Sequence, residues 1–133
     1  RASLAYLVEE SLTGQSDLSR FRIDGPPVEL SSKTALAMAL ALHELATNAA
    51  KYGALRQDGG RIDITWSVED GQFAFEWRES GGPLVEPPTR RGFGSRMIER
   101  ALAGYFSGAA AMDYQPAGVV FSLRGPIDAL IAD

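Results

Sequence analysis

The chain has no cysteine, a single histidine (His43), and no apolar run approaching the roughly 20 residues that a membrane span requires. Lack of cysteine excludes disulfides and thiolate metal sites; the lone histidine excludes multi-histidine metal centres and any Cys/His nucleophile pair. Cationic excess is missing too. Lys and Arg number 13 against 17 Asp and Glu, a net charge of −4, which argues against a general nucleic-acid binder. A local anion site is still compatible with that balance, and Lys51, Arg90, Arg91 and Arg96 are candidates to form one. The 133 residues, 45% hydrophobic and 23% charged, suit one globular domain, 1–133, with its own core. The opening residues read as helix and not as a leader, so the expectation is a cytoplasmic domain cut from a longer protein.

The stretch from Lys33 to Leu55 dominates the chain. Rich in Ala, Leu and Met, it predicts one long helix. At about 100° per residue, Met38, Leu42, Leu45, Ala46 and Ala49 share an apolar face. Glu44, Asn48 and Lys51 form a polar stripe, with Tyr52 at its edge. A helix otherwise so apolar is expected to be buried on most sides, which makes the stripe either a solvent-facing strip or the wall of a site.

Around it, residues 2–12 carry Leu4, Leu7, Val8 and Leu12 at helical spacing. Residues 20–24 alternate like a strand and end in Gly25-Pro26-Pro27; Val28 to Leu30 resumes extended structure, and Ser31 or Ser32 is a natural N-cap. Residues 61–69 and 72–79 alternate on either side of Asp70-Gly71, a strong hairpin signal. Residues 80–91 read as a loop, 95–106 as a helix, and 109–114 and 119–123 as strands. This order predicts an α/β (α+β) two-layer sandwich, a mixed β-sheet covered on one face by helices.

Four motifs bear on chemistry. On the stripe, the Asn48 amide oxygen suits Mg²⁺, which prefers hard oxygen ligands and keeps several waters. Glu44 is placed to polarise an attacking group, Lys51 to neutralise phosphate and Tyr52 to lie against a flat base. Gly92-Phe93-Gly94 opens a helix and reads either as a common loop or as a phosphate seat. Glu79-Ser80-Gly81-Gly82-Pro83 reads either as a plain strand exit or as a carboxylate acceptor beside roomy glycines. His43, about 100° round the helix from Glu44 and beside Leu36 and Leu40, reads as packed and hydrogen-bonded, not as a nucleophile.

Taken in order, His-Glu-Leu-x-x-Asn-x-x-Lys-Tyr-Gly, Trp-x-Glu-x-Gly-Gly-Pro and Gly-Phe-Gly resemble the catalytic, ATP-binding domain of HWE-family sensor histidine kinases, of the Bergerat (GHKL) ATPase superfamily. The family's name residues match His43, Trp77 and Glu79, and the resemblance runs from about residue 2 to 125. It implies the Bergerat fold and a domain that uses ATP and Mg²⁺. By position, Asn48 resembles the Mg²⁺-coordinating N-box asparagine and Glu44 the neighbour assisting phosphoryl transfer. Lys51 and Tyr52 resemble phosphate-side and adenine-side residues. Glu79 stands where most relatives have the aspartate that accepts from the adenine amine, with Gly81 and Gly82 bordering the nucleotide. Gly92, Phe93 and Gly94 resemble the box closing on the phosphates. Residues 83–91 would be a short, mobile lid whose Arg90 and Arg91 reach phosphate.

The implied partners are ATP, a dimerisation domain bearing the acceptor histidine (absent from this sequence) and, indirectly, a response regulator. No nucleic acid or membrane contact is expected, and the implied setting is the bacterial cytoplasm. Two further readings remain: a docking module in the same fold that no longer binds ATP, and a related kinase acting on serine.

Overall fold

In the computed structural model, residues 2–14, 18–85, 99–100, 102–104 and 108–131 are described. In chain order the elements are β1 (Ala2–Ser3), α1 (Leu4–Ser11), β2 (Phe21–Asp24), β3 (Glu29–Leu30), α2 (Ser32–Lys51), β4 (Arg61–Glu69), β5 (Gln72–Ser80), β6 (Ala109–Gln115), β7 (Gly118–Pro126) and α3 (Ile127–Ile131). Single 3-10 turns occupy Leu18–Arg20 and Ala54–Arg56. Within the helix expected over 95–106, residues 99–100 and 102–104 are helical, and Leu102 is buried.

The sheet grows from the hairpin. Asp70 (φ 50°) and Gly71 (φ 75°) both take positive φ, the backbone of a two-residue turn whose twist matches the strands it joins. That turn sets the register from Glu69 opposite Gln72 to Arg61 opposite Ser80. One parity of β4 and β5 (Ile62, Ile64, Trp66; Phe73, Phe75, Trp77) is then buried, while the other faces outward. β7 pairs antiparallel with both β5 and β6, and β2 runs parallel to β4, giving a mixed sheet in the order β2-β4-β5-β7-β6. Its buried face packs with α1 (Leu4, Val8) and α2 (Met38, Ala41, Leu42, Leu45, Ala46, Ala49) in one core. The expected two-layer α+β sandwich is therefore the observed architecture. A two-stranded ribbon, β1 with β3, stands beside it.

Three details depart from expectation. α2 stops at Lys51: Tyr52 caps it, Gly53 N–H still bonds back to the helix, and Ala54 N–H turns away to Glu79. It is not buried on most sides: Leu36 and Leu40 are 65% and 56% exposed, and His43 beside them is exposed and not packed. One apolar face against the sheet suffices to hold a 20-residue helix, so the opposite flank is left to water. Finally, α3 has no counterpart in the sequence reading. Its Leu130 carbonyl accepts from Ser31 N–H (2.9 Å) and from the Thr34 hydroxyl (2.7 Å), which ties the chain's last helix to the start of α2.

The start of α2 is a buried polar knot. Ser31 and Thr34 are almost fully enclosed; the Ser31 side chain accepts from Thr34 N–H (3.2 Å), and the two hydroxyl oxygens lie 2.8 Å apart. Ser31→Ala should destabilise the domain by about 1 kcal/mol in urea unfolding through the lost cap on Thr34 N–H, since the Thr34 hydroxyl keeps the Leu130 carbonyl. A change under about 0.3 kcal/mol would show that the knot is not holding the helix.

Candidate functional site

The inner row of β5 reads Phe73, Phe75, Trp77 and then Glu79, so strand alternation carries a carboxylate to the end of an apolar row. Glu79 is only 5% exposed, and among the described residues no salt bridge reaches its carboxylate. Two donors hold it instead: Ala54 N–H bonds Oε1 at 3.0 Å, and the Trp77 indole N–H bonds Oε2 at 3.0 Å. Burial pushes the Glu79 carboxyl above its ordinary value of 4.5, and those two hydrogen bonds pull it part of the way back. Among the described residues each oxygen has one donor, which leaves it a second lone pair for a further donor.

The segment that reaches Glu79 follows α2 directly. Gly53 N–H bonds back to the carbonyls of Asn48 and Ala49, both at 3.1 Å, which folds the chain over the helix end. A Cβ on Gly53 would sit 2.2 Å from Glu79 Oε1, and one on Gly82 would sit 2.6 Å from the Ala54 Cα. Only bare backbone fits at these two positions: of the glycines in the Glu79–Pro83 motif, Gly82 packs on residues 53–54 and Gly81 on Gly59 and Gly60, not on open space. Beyond them, Val85 N–H bonds the Pro116 carbonyl at 3.1 Å, fastening the start of the expected lid to the β6–β7 turn.

The stripe of α2 leads toward this corner. Glu44 and Asn48 are half-buried on successive turns, while Lys51 and Tyr52 (70% exposed) stand free at the helix end. Among the described residues no group of three or more His, Cys, Asp or Glu side chains could cage a metal. The Asn48 amide oxygen is the kind of donor that fits an ion such as Mg²⁺, which takes few protein oxygens and completes its shell with water and phosphate. Arg90, Arg91, Gly92, Phe93 and Gly94, with most of the expected lid, lie outside the described residues. Sequence reasoning brought Glu79, Gly81, Gly82 and the stripe to attention, but missed the partners of Glu79: the Ala54 amide and the Trp77 indole. Alternation in β5 was the available signal for Trp77, since residues two apart share a face.

Two outcomes follow from the buried carboxylate. Because folding raises the Glu79 pKa, the folded state holds its proton more tightly than the unfolded chain. Stability contributed at this group is therefore present below about pH 4.5 and falls as pH rises through the folded value. Against Glu79→Gln, which does not titrate, the wild type should lose relative unfolding free energy as pH increases above 4.5; a difference that stays flat or grows would contradict the assignment. Gly53→Ala should cost about 1–3 kcal/mol through overpacking and quench or shift Trp77 fluorescence. Wild-type stability in that variant would mean that the corner is loose.

Residues 25–102 match the family of histidine kinase-like ATPase domains. Among curated proteins, the chain is 40% identical over 114 residues to a blue-light-activated histidine kinase of Brucella anthropi, covering 83% of this chain and 23% of that protein. It is likewise 40% identical over 111 residues to blue-light-activated histidine kinase 1 of Erythrobacter litoralis, covering 81% and 31%. The chain thus spans about a quarter to a third of these relatives. The histidine kinase domain of the Erythrobacter litoralis EL346 blue-light-activated kinase superposes with a TM-score of 0.72 at 19% identity, over 93% of this chain and 60% of that one. A nucleotide-free catalytic domain of histidine kinase ThkA does so with 0.68 at 18%, over 94% of each. Sequence match and shared fold agree, and the chain belongs to the histidine kinase-like ATPase domain family.

Proposed function

We propose that this domain binds Mg²⁺–ATP at the C-terminal end of α2 and transfers the γ-phosphoryl group to a histidine on a separate dimerisation domain, for relay to a response regulator. The observation that carries the reading is the corner itself. A buried carboxylate with spare lone pairs, backbone bared by Gly53 and Gly82, and an oxygen-bearing stripe on α2 all meet where one helix ends.

Glu79 accepts from the adenine exocyclic amine, Tyr52 flanks the base, and Gly81 and Gly82 border it. Asn48 offers its amide oxygen to the ion, and Lys51 reaches the phosphates, joined by Arg90, Arg91, Gly92, Phe93 and Gly94. Mg²⁺ supplies charge neutralisation and alignment of the phosphates. Glu44 polarises the attacking imidazole. The bond from the γ-phosphorus to the β–γ bridging oxygen breaks, a phosphorus–nitrogen bond forms on the acceptor histidine, ADP leaves and the imidazole proton is released. His43 is not that acceptor, because it lies on the exposed flank of α2 away from the stripe. No described helix is long and apolar enough to cross a membrane, which accords with work at the cytoplasmic side of a larger kinase.

Calorimetric titration with a non-hydrolysable ATP analogue, with and without Mg²⁺, tests the reading. Binding should require Mg²⁺ and weaken about tenfold, ~1.4 kcal/mol, in Asn48→Ala. No binding to the folded wild type would sink it and leave a docking module in an ATPase's fold.

A further inference from the structure

Arg20 belongs to none of the motifs above. Alternation places it at the start of a strand, yet the structure puts it in the 3-10 turn before β2, with its side chain directed at another part of the chain. Its Nε–H bonds the Gly60 carbonyl at 2.8 Å. Its Nη2 bonds the Ala54 carbonyl at 2.9 Å and also the Gln57 carbonyl. One guanidinium thus gathers three main-chain acceptors of the loop that joins α2 to β4, across 34 to 40 residues of sequence.

That loop is the same one whose Ala54 N–H bonds Glu79. Ala54 is therefore gripped on both sides of a single residue, its amide by the Glu79 carboxylate and its carbonyl by Arg20. The rest of the loop is equally confined. A Cβ on Gly60 would lie 1.7 Å from the Ala54 carbonyl oxygen, and one on Gly81 would lie 2.6 Å from the Gly59 carbonyl oxygen. The loop is thus held by the Arg20 guanidinium and packed against the Gly81–Gly82 backbone. The Ala54 carbonyl at the start of the 3-10 turn and the Gln57 and Gly60 carbonyls beyond it converge on one guanidinium, and a planar, permanently charged fork suits such a set as a point-charge ammonium does not.

We propose that Arg20 is a positioning residue for the nucleotide site: by clamping the Ala54, Gln57 and Gly60 carbonyls it fixes the segment on which the Glu79 carboxylate and the Gly81–Gly82 backbone are aligned. The inference rests on the ATP-site reading above. Arg20 touches no ligand in it. Without the clamp, Ala54 N–H drifts from Glu79, and the carboxylate turns toward its remaining donor, the Trp77 indole.

The two tryptophans make this measurable. The Trp77 indole reports on Glu79, whereas the Trp66 indole donates to the Pro26 carbonyl at 2.7 Å and serves as an internal control. In Arg20→Ala, nitrogen–proton NMR should show the Ala54 amide and Trp77 indole displaced and the Trp66 indole unmoved. Affinity for the ATP analogue should fall about tenfold, and millimolar ethylguanidinium should restore it where ethylammonium does not. Arg20→Lys, which keeps stem and charge, covers the case where the alanine variant fails to fold, and should displace the same two signals. Affinity within twofold of wild type, equal movement of both indoles, or equal rescue by ethylammonium would overturn the proposal. If the wild type binds no nucleotide, the ATP-site reading falls by itself, and the Ala54 and Trp77 signals alone decide whether Arg20 sets the Glu79 corner.

Discussion

A carboxylate buried at the end of an apolar strand row costs free energy unless donors meet it, and the arrangement around Glu79 answers that cost. The Trp77 indole comes from the same strand, two residues away, and so needs only the pleat to reach its acceptor. The Ala54 amide comes from 25 residues upstream and can reach only if the chain leaves α2 at once, over a glycine, with no side chain in the way. Helix end, bare glycines and Arg20 clamp are thus successive consequences of one charge that must not go unpaired.

α2 divides its circumference among three tasks. Met38, Leu42 and Leu45 close the core against the sheet; Glu44 and Asn48 line the approach to the corner; Leu36, Leu40 and His43 face water. The apolar face alone anchors the helix. Its polar stripe is therefore held in place by packing on the other side, and side chains there need not contribute to stability.

Local rules made much of this legible. The hairpin followed from Asp70-Gly71 between alternating runs, the start of α2 from a serine before good helix formers, and the parity of Glu79 from counting along β5. Long-range constraints hid the rest. Lys33 to Leu55 has helix-forming composition throughout, yet α2 stops at Lys51, and three residues on the Ala54 amide bonds a carboxylate on another strand. Arg20 looked like the first residue of a strand, since nothing near it in sequence announces three carbonyls more than 30 residues away. The five-residue α3 is too short to show a period, and its anchoring hydroxyl lies 96 residues earlier. His43 misled for the opposite reason: beside leucines in sequence, it shares with them a flank that nothing in the core requires.

The β1–β3 ribbon and the α3 carbonyl bring the two ends of the described fold to one address. Ala2 pairs with Leu30, and Leu130 accepts from Ser31, so residues 2 and 130 are neighbours of the same two-residue step. A fold with adjacent ends is modular in a mechanical sense. It can be spliced into a surface loop of a host protein without prying the host apart, or have its ends sewn together by a few residues and be reopened elsewhere. Those ends meet at the start of α2, about 30 Å of helix from the corner where α2 finishes. Cargo fused at either end would hang at the pole remote from the site.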